Sequence, residues 1–139
     1  MNALLGAPYP SHAVSDAEPA YDYAKTLFSD ATFLNYPQRG RCIRIAERRV
    51  SYILAFSGIV GGYETDAHGR YDGPLPLGIT VSDTLTAVTA WLGPPDDGGA
   101  LAGAPVPSQW IIYRRLGLSF DFVGATGQLI SVGVLVPKP

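Results

Sequence analysis

Residues 75–97, LPLGITVSDTLTAVTAWLGPPDD, are the one run of this sequence in which a helix can be read with a start, an apolar face and a stop. Ser82 is the expected N-cap, and Asp83 falls in the first turn, where its charge complements the helix dipole. Leu85, Val88 and Leu92 recur at i, i+3 and i+7, Ala87 and Trp91 widen the stripe, and Thr84, Thr86 and Thr89 point elsewhere. Gly93, followed at once by Pro94 and Pro95, ends it, because Gly accepts the left-handed conformation and Pro cannot continue a helix. The Thr and Val content makes the intrinsic propensity poor, so this helix depends on what it packs against.

That partner is expected just downstream. Beyond a Gly/Pro/Ala connector, WIIYRRL, LSFDFVG and LISVGVLV are rich in aromatic and β-branched residues and predict three strands, with ATG as the last hairpin turn. Leu118, Phe120 and Phe122 alternate with Ser119 and Asp121, which predicts one dry face and one wetter face.

Upstream there is an echo. ALLGAPYP resembles WLGPP through Leu4, Leu5, Gly6 and Pro8, and Ser15 with Glu18 fits a capping box for a helix from about Glu18 to Phe28. The apolar set Ala20, Tyr21, Ala24, Leu27 and Phe28 has helical spacing. TFLNYP, GRCIRIA and RRVSYILAFSG then read as three strands. Tyr36 and Gly40 stand 77 residues before Tyr113 and Gly117, which places Cys42, Ile43, Arg44 and Ile45 on Ser119, Phe120, Asp121 and Phe122. Val50, Tyr52, Leu54 and Phe56 fall on Ile130, Val132, Val134 and Val136 at an offset of 80. The expectation is an α+β fold in a single domain over 1–139: repeat one at 1–58, a Gly-rich linker loop at 59–74 and repeat two at 75–136. In that scheme an antiparallel sheet is built from two helix-plus-β-meander repeats, with the helices packed on one face.

Composition narrows the function. Charged residues are 16%, and Gly and Pro together supply 28 of 139 residues, as in loop-rich β structure rather than a disordered chain. A net charge of −2 gives no electrostatic footprint for nucleic acid or an anionic membrane. The arginines at 39, 41, 44, 48 and 49 read as a solvated β-edge rather than an RNA-binding surface. The single cysteine, Cys42, cannot form an internal disulfide or a multi-thiolate metal site, and the start MNALLGAPYP has neither a basic region nor an apolar run of signal length, so a cytoplasmic location is expected.

The helix ending in LG-x-P, the W…Y…G pattern of strands and the entry PLPLGITVSDT resemble the BLIP-like superfamily, which includes the β-lactamase inhibitor protein and the SmpA/BamE lipoproteins. LFSDATFLNYP, RRVSYILAFSG, YDGPLPLGITVSDT and WLGPP are more particularly similar to bacterial immunity proteins of polymorphic toxins. The lipoproteins' signal peptide and lipidated cysteine, and the secreted inhibitor's disulfides, have no counterpart in these residues. The resemblance implies a non-enzymatic inhibitor that neutralises a cognate protein toxin. An envelope-assembly module and a small hydrolase or ligand-binding domain are the alternatives.

No catalytic residue, cofactor or metal is expected. His68 with Glu64, Asp66 and Asp72 has ligand types but no rigid spacing, and Cys42 lacks a nearby His. The partner is instead expected to meet acidic loops and aromatic anchors: Glu64, Asp66, Tyr71 and Asp72, with Tyr63, before the helix; Asp96 and Asp97 after it; and Trp110. An acidic rim suits a basic toxin. The open sheet face around Arg44 and Asp121 is the second candidate surface.

Overall fold

In the computed structural model, residues 24–27, 31–36, 39–58, 69–101 and 107–137 are described. Eight strands form one antiparallel sheet: β1 (Ala24–Leu27), β2 (Ala31–Tyr36), β3 (Arg41–Ala46), β4 (Arg49–Phe56), β5 (Asp97–Leu101), β6 (Ser108–Tyr113), β7 (Leu118–Val123) and β8 (Leu129–Leu135). The spatial order is β1-β2-β3-β4-β8-β7-β6-β5, so two four-stranded meanders meet along β4 and β8. The strands β2 and β3 begin at 31 and 41, and β6 and β7 begin 77 residues later at 108 and 118.

This corrects the expected architecture of two helix-plus-meander repeats with helices on one face. Among the described residues there is one α-helix, α1 (Leu85–Leu92), beside a 3₁₀ turn at Pro76–Gly78. Where a first helix was expected through Phe28, residues 24–27 instead form edge strand β1, registered from Ala24↔Asn35 to Leu27↔Thr32. A four-residue run with two apolar positions fits either period, and the β-rich neighbour TFLNY offers ladder hydrogen bonds that decide it. The expected one-turn helix at ALLG and the capping box at Ser15 lie outside the described residues. Part of the Gly/Pro/Ala connector is also strand, since DGGAL forms β5 at the other edge. Gly98 and Gly99 permit this: a Cβ at Gly98 would lie 2.8 Å from the Trp110 carbonyl oxygen, and one at Gly99 would lie 3.0 Å from the indole nitrogen.

The helix also starts and faces differently from its expected pattern. Thr84, not Ser82, is the N-cap, its hydroxyl accepting from the Ala87 amide, while Asp83 accepts from the Thr80 amide in the preceding turn. Gly93 (φ 82°) ends the helix as expected. Val88 is buried, and Leu85 and Leu92 pack against a core of Ile111, Tyr113, Leu118, Phe120, Phe122, Leu129, Val132 and Val134. Phe120 stands at its centre, edge-on to Tyr113 at 88° and stacked on Phe122 at 14°, each with centroids 6.0 Å apart. A second buried cluster, Leu34, Tyr36, Ile43, Ile45, Val50 and Ile53, sits on the same face of the first meander.

Truncating Phe120 to Ala is expected to cost about 3–5 kcal/mol by urea denaturation, since it deletes a fully buried ring between two other rings. The Glu47–Arg48 loop makes the opposite kind of prediction. Both residues have positive φ, 52° and 63°, the backbone of a two-residue type I′ hairpin turn occupied by residues with a Cβ. Replacing them with Asn-Gly should raise stability by about 1 kcal/mol, and an unchanged or lower denaturation midpoint would contradict that turn assignment.

Candidate partner-binding surfaces

Strand alternation places Phe33, Cys42, Arg44, Tyr52, Leu54, Phe56, Trp110, Ile112, Ser119, Asp121, Ser131 and Leu135 on the sheet face opposite α1. Its centre is not an open platform. Cys42, Phe56 and Ser131 are 4%, 4% and 1% exposed, and Asp121 is 9% exposed. The Ser131 hydroxyl donates to Asp121 Oδ2 at 3.2 Å, and the Tyr52 and Ser119 hydroxyls are 3.0 Å apart. Tyr52 can lie there because its diagonal neighbour on β8, the residue paired with Leu54, is Gly133: a Cβ on that glycine would collide with the Tyr52 ring and the Ser119 hydroxyl. A lone Gly within LISVGVLV is the sequence signal for such a close approach, and it is the one that the strand reading passed over.

Burial sets the chemistry of this interior. It pushes the Cys42 thiol up to about 12 and the Tyr52 phenol up to about 12, the latter despite its hydrogen bond with Ser119. A protonated, enclosed thiol is a small hydrophobe rather than a nucleophile. On the α1 side, Arg41 is 9% exposed and not part of a solvated edge. Burial lowers its pKa, with the neighbouring Tyr71 opposing that shift.

The residues singled out from sequence separate into three groups. Tyr63, Glu64, Asp66 and His68 lie outside the described residues. Tyr71 is core, 7% exposed with its hydroxyl donating to the Pro74 carbonyl, whereas its neighbour Asp72 is exposed. Asp96 and Asp97 are exposed but engaged in structure: Asp96 Oδ2 accepts from the Arg114 amide at 2.6 Å, and Asp97 accepts from the Gly98 amide and pairs with the Arg114 guanidinium at 3.2 Å. Trp110, Asp121 and Arg44 do share the face, with Trp110 directly across from Asp121.

Arg44 is half-buried at the rim of this face, beside a β-bulge. Register runs Arg44↔Tyr52 and then Ile45↔Val50, so Ser51 is the extra residue. Its hydroxyl accepts from Arg44 Nη1 at 3.1 Å and donates to the Arg44 carbonyl at 3.2 Å. The guanidinium carbon lies 6.0 Å from the Phe33 ring centroid.

What sequence reasoning missed most plainly is Trp91. Assigned to the buried stripe, it is 71% exposed on the outer side of α1. The helix is nonetheless fixed at both ends, the Leu85 amide donating to the Gly127 carbonyl at 2.9 Å and the Tyr113 hydroxyl to the Gly93 carbonyl at 2.8 Å.

The enclosed face has a measurable consequence in alkali. Cys42 and Tyr52 hold their protons in the folded chain to about 12, above their ordinary values of 9.0 and 10.0. Above pH 9 the unfolded chain releases protons that the folded chain keeps, so stability is full below about pH 9 and should fall progressively toward pH 12. In parallel, a disulfide reagent at pH 8 should label Cys42 only as fast as the chain unfolds. Rapid stoichiometric labelling would mean that the face is open.

No family model matches the sequence, and no curated protein does. Among solved structures the fold is similar to part of an extracellular protein containing a SCP domain from Bacillus anthracis str. Ames, with a TM-score of 0.57 and 11% identity. The likeness covers 96% of this chain and 44% of that one, so the chain spans less than half of its structural neighbour. At that identity what the two share is the course of the backbone.

Proposed function

We propose that this chain is a non-enzymatic inhibitor that binds and neutralises a protein partner, a toxin made by the same cell, and that the outer side of α1 is a principal contact. The observation that carries the binding part is Trp91, a large aromatic left 71% exposed on an element whose two ends are hydrogen-bonded to the sheet. An aromatic of this size, presented rigidly, offers a desolvation gain on contact without an ordering cost. Exposed carboxylates at Asp72, Asp96 and Asp97 suit a basic partner and would speed its approach. The toxin itself is inferred from the resemblance of WLGPP, YDGPLPLGITVSDT and RRVSYILAFSG to immunity proteins.

The test is co-expression with the product of the reading frame directly upstream, scored by growth rescue and by the affinity of the purified pair. Rescue is expected, and Trp91→Ala should weaken the complex by at least about tenfold, or 1.4 kcal/mol, with the melting temperature unchanged. Growth arrest that the chain does not relieve would sink the inhibitor reading. Full affinity in Trp91→Ala would remove α1 from the interface.

A further inference from the structure

Among the described residues β5 has a neighbour on one side only, and it pairs with β6 without interruption from Asp97 to Leu101. We propose that its open edge joins a second copy of this chain, β5 to β5, in an antiparallel two-fold dimer centred on Gly99. Hydrogen-bond parity fixes which groups are free. The Ile112 carbonyl accepts from the Asp96 amide and the Pro107 carbonyl accepts from the Gly124 amide, so residues 108, 110 and 112 turn their backbone groups toward β5 and the alternate ones toward β7. Their partners on β5, Asp97, Gly99 and Leu101, therefore bond inward, whereas Gly98 and Ala100, both exposed, turn their amides and carbonyls outward. The Gly98 amide meanwhile donates to Asp97 Oδ1 at 2.8 Å, an exposed contact between neighbours that an incoming carbonyl can replace.

A copy of the same strand is the occupant that these positions select. Rotated about Gly99, it sets its outward residues against the outward residues of the first: Gly98 of each exchanges hydrogen bonds with Ala100 of the other, and Asp97 falls opposite residue 101 instead of its own counterpart. Gly99 then meets Gly99 in the close, non-hydrogen-bonded pair. There the half-buried Trp110 ring already lies across the place of the missing Cβ, 3.0 to 3.3 Å from it, so the two copies bring identical rings together over the axis. The chain already makes such a joint internally. The seam pairs Tyr52 with Leu135 and Ala55 with Val132, and since 135 − 55 and 132 − 52 both equal the repeat offset of 80, each repeat's position 52 meets the other's position 55. At the opposite edge β1 is four residues long and carries Lys25, both of which discourage strand pairing, so contact through β5 closes as a dimer instead of growing into a filament. One short ladder with a pair of rings falls below the roughly 1,200 Å² of a standard interface, so the dimer is weak and its population follows concentration. It is independent of the inhibitor reading, whose contact is the outer side of α1.

Sedimentation of the intact chain from about 5 to 500 µM is expected to show a reversible equilibrium between monomer and dimer. Ala100→Pro removes an amide that β6 does not use, so the variant should stay folded by circular dichroism while its self-association weakens at least tenfold. In a Trp91→Phe background Trp110 is the remaining tryptophan, and its emission should move to longer wavelength on dilution as the ring loses its counterpart. A monomer throughout that range, species larger than a dimer that grow with concentration, undiminished dimer in folded Ala100→Pro, or Trp110 emission indifferent to dilution in a sample that dimerises would each overturn the assignment.

Discussion

The pairing of β4 with β8 is the constraint on which the rest of the molecule depends. These strands meet antiparallel from Tyr52↔Leu135 to Phe56↔Ser131, and nothing else in the sheet order joins the two meanders. Their inward residues, Ile53 and Ala55 against Val134 and Val132, are all buried, so the seam carries a strip of core as well as a ladder of hydrogen bonds. A slip of one residue would carry those four side chains to the opposite face and bring Tyr52 and Leu54 inward. The Tyr52 ring resists such a slip, because the glycine it lies over is at one position of β8 and the serine it meets is at one position of β7.

Aromatic rings over glycines recur at the edge. Trp110 covers Gly99 on β5 as Tyr52 covers Gly133 on β8, and in each case the missing Cβ is what lets the ring lie flat on the sheet. Both rings belong to the face away from α1. The polar groups there are thereby drawn under cover, and Asp121, Ser131 and Cys42 act as interior residues, with Ser131 donating to Asp121. The alternation of LSFDFVG correctly divided the strand into two faces, yet Asp121 is buried on its side as Phe120 is on the other. Alternation reports which side a residue takes. It does not report whether that side is wet.

Legibility followed the strength of the local signal. Strands at GRCIRIA, RRVSYILAFSG, WIIYRRL, LSFDFVG and LISVGVLV could be read because β-branched and aromatic residues alternate between Gly-containing turns. The helix end at Gly93 could be read because Gly-Pro-Pro permits little else. AKTL and DGGAL could not, since each is a strand only through its neighbour: β1 through β2 and β5 through β6. The same holds for the candidate site. Arg44, Trp110 and Asp121 fell on one face because strand parity places them there. Trp91 did not fall inward because an eight-residue helix crossing a sheet buries a narrower stripe than the widest set of apolar residues it carries.

The two meanders use one framework for opposite charges. Arg44 and Asp121 stand 77 residues apart, the register breaks immediately after each, and each bonds a serine of the following strand, Ser51 or Ser131. Their cross-strand neighbours, Phe33 and Trp110, are also 77 apart and both aromatic. The outcomes differ for a reason in the side chains. A carboxylate on a short stem stays close to the sheet, and there it must find donors and be covered, as Asp121 is. A guanidinium on a long stem can reach a neighbouring aromatic ring and side-chain acceptors farther from the sheet, as half-buried Arg44 does with its guanidinium carbon 6.0 Å from the Phe33 ring centroid. The first meander therefore carries its charge on a long stem at a half-buried position, while the second holds its own under cover.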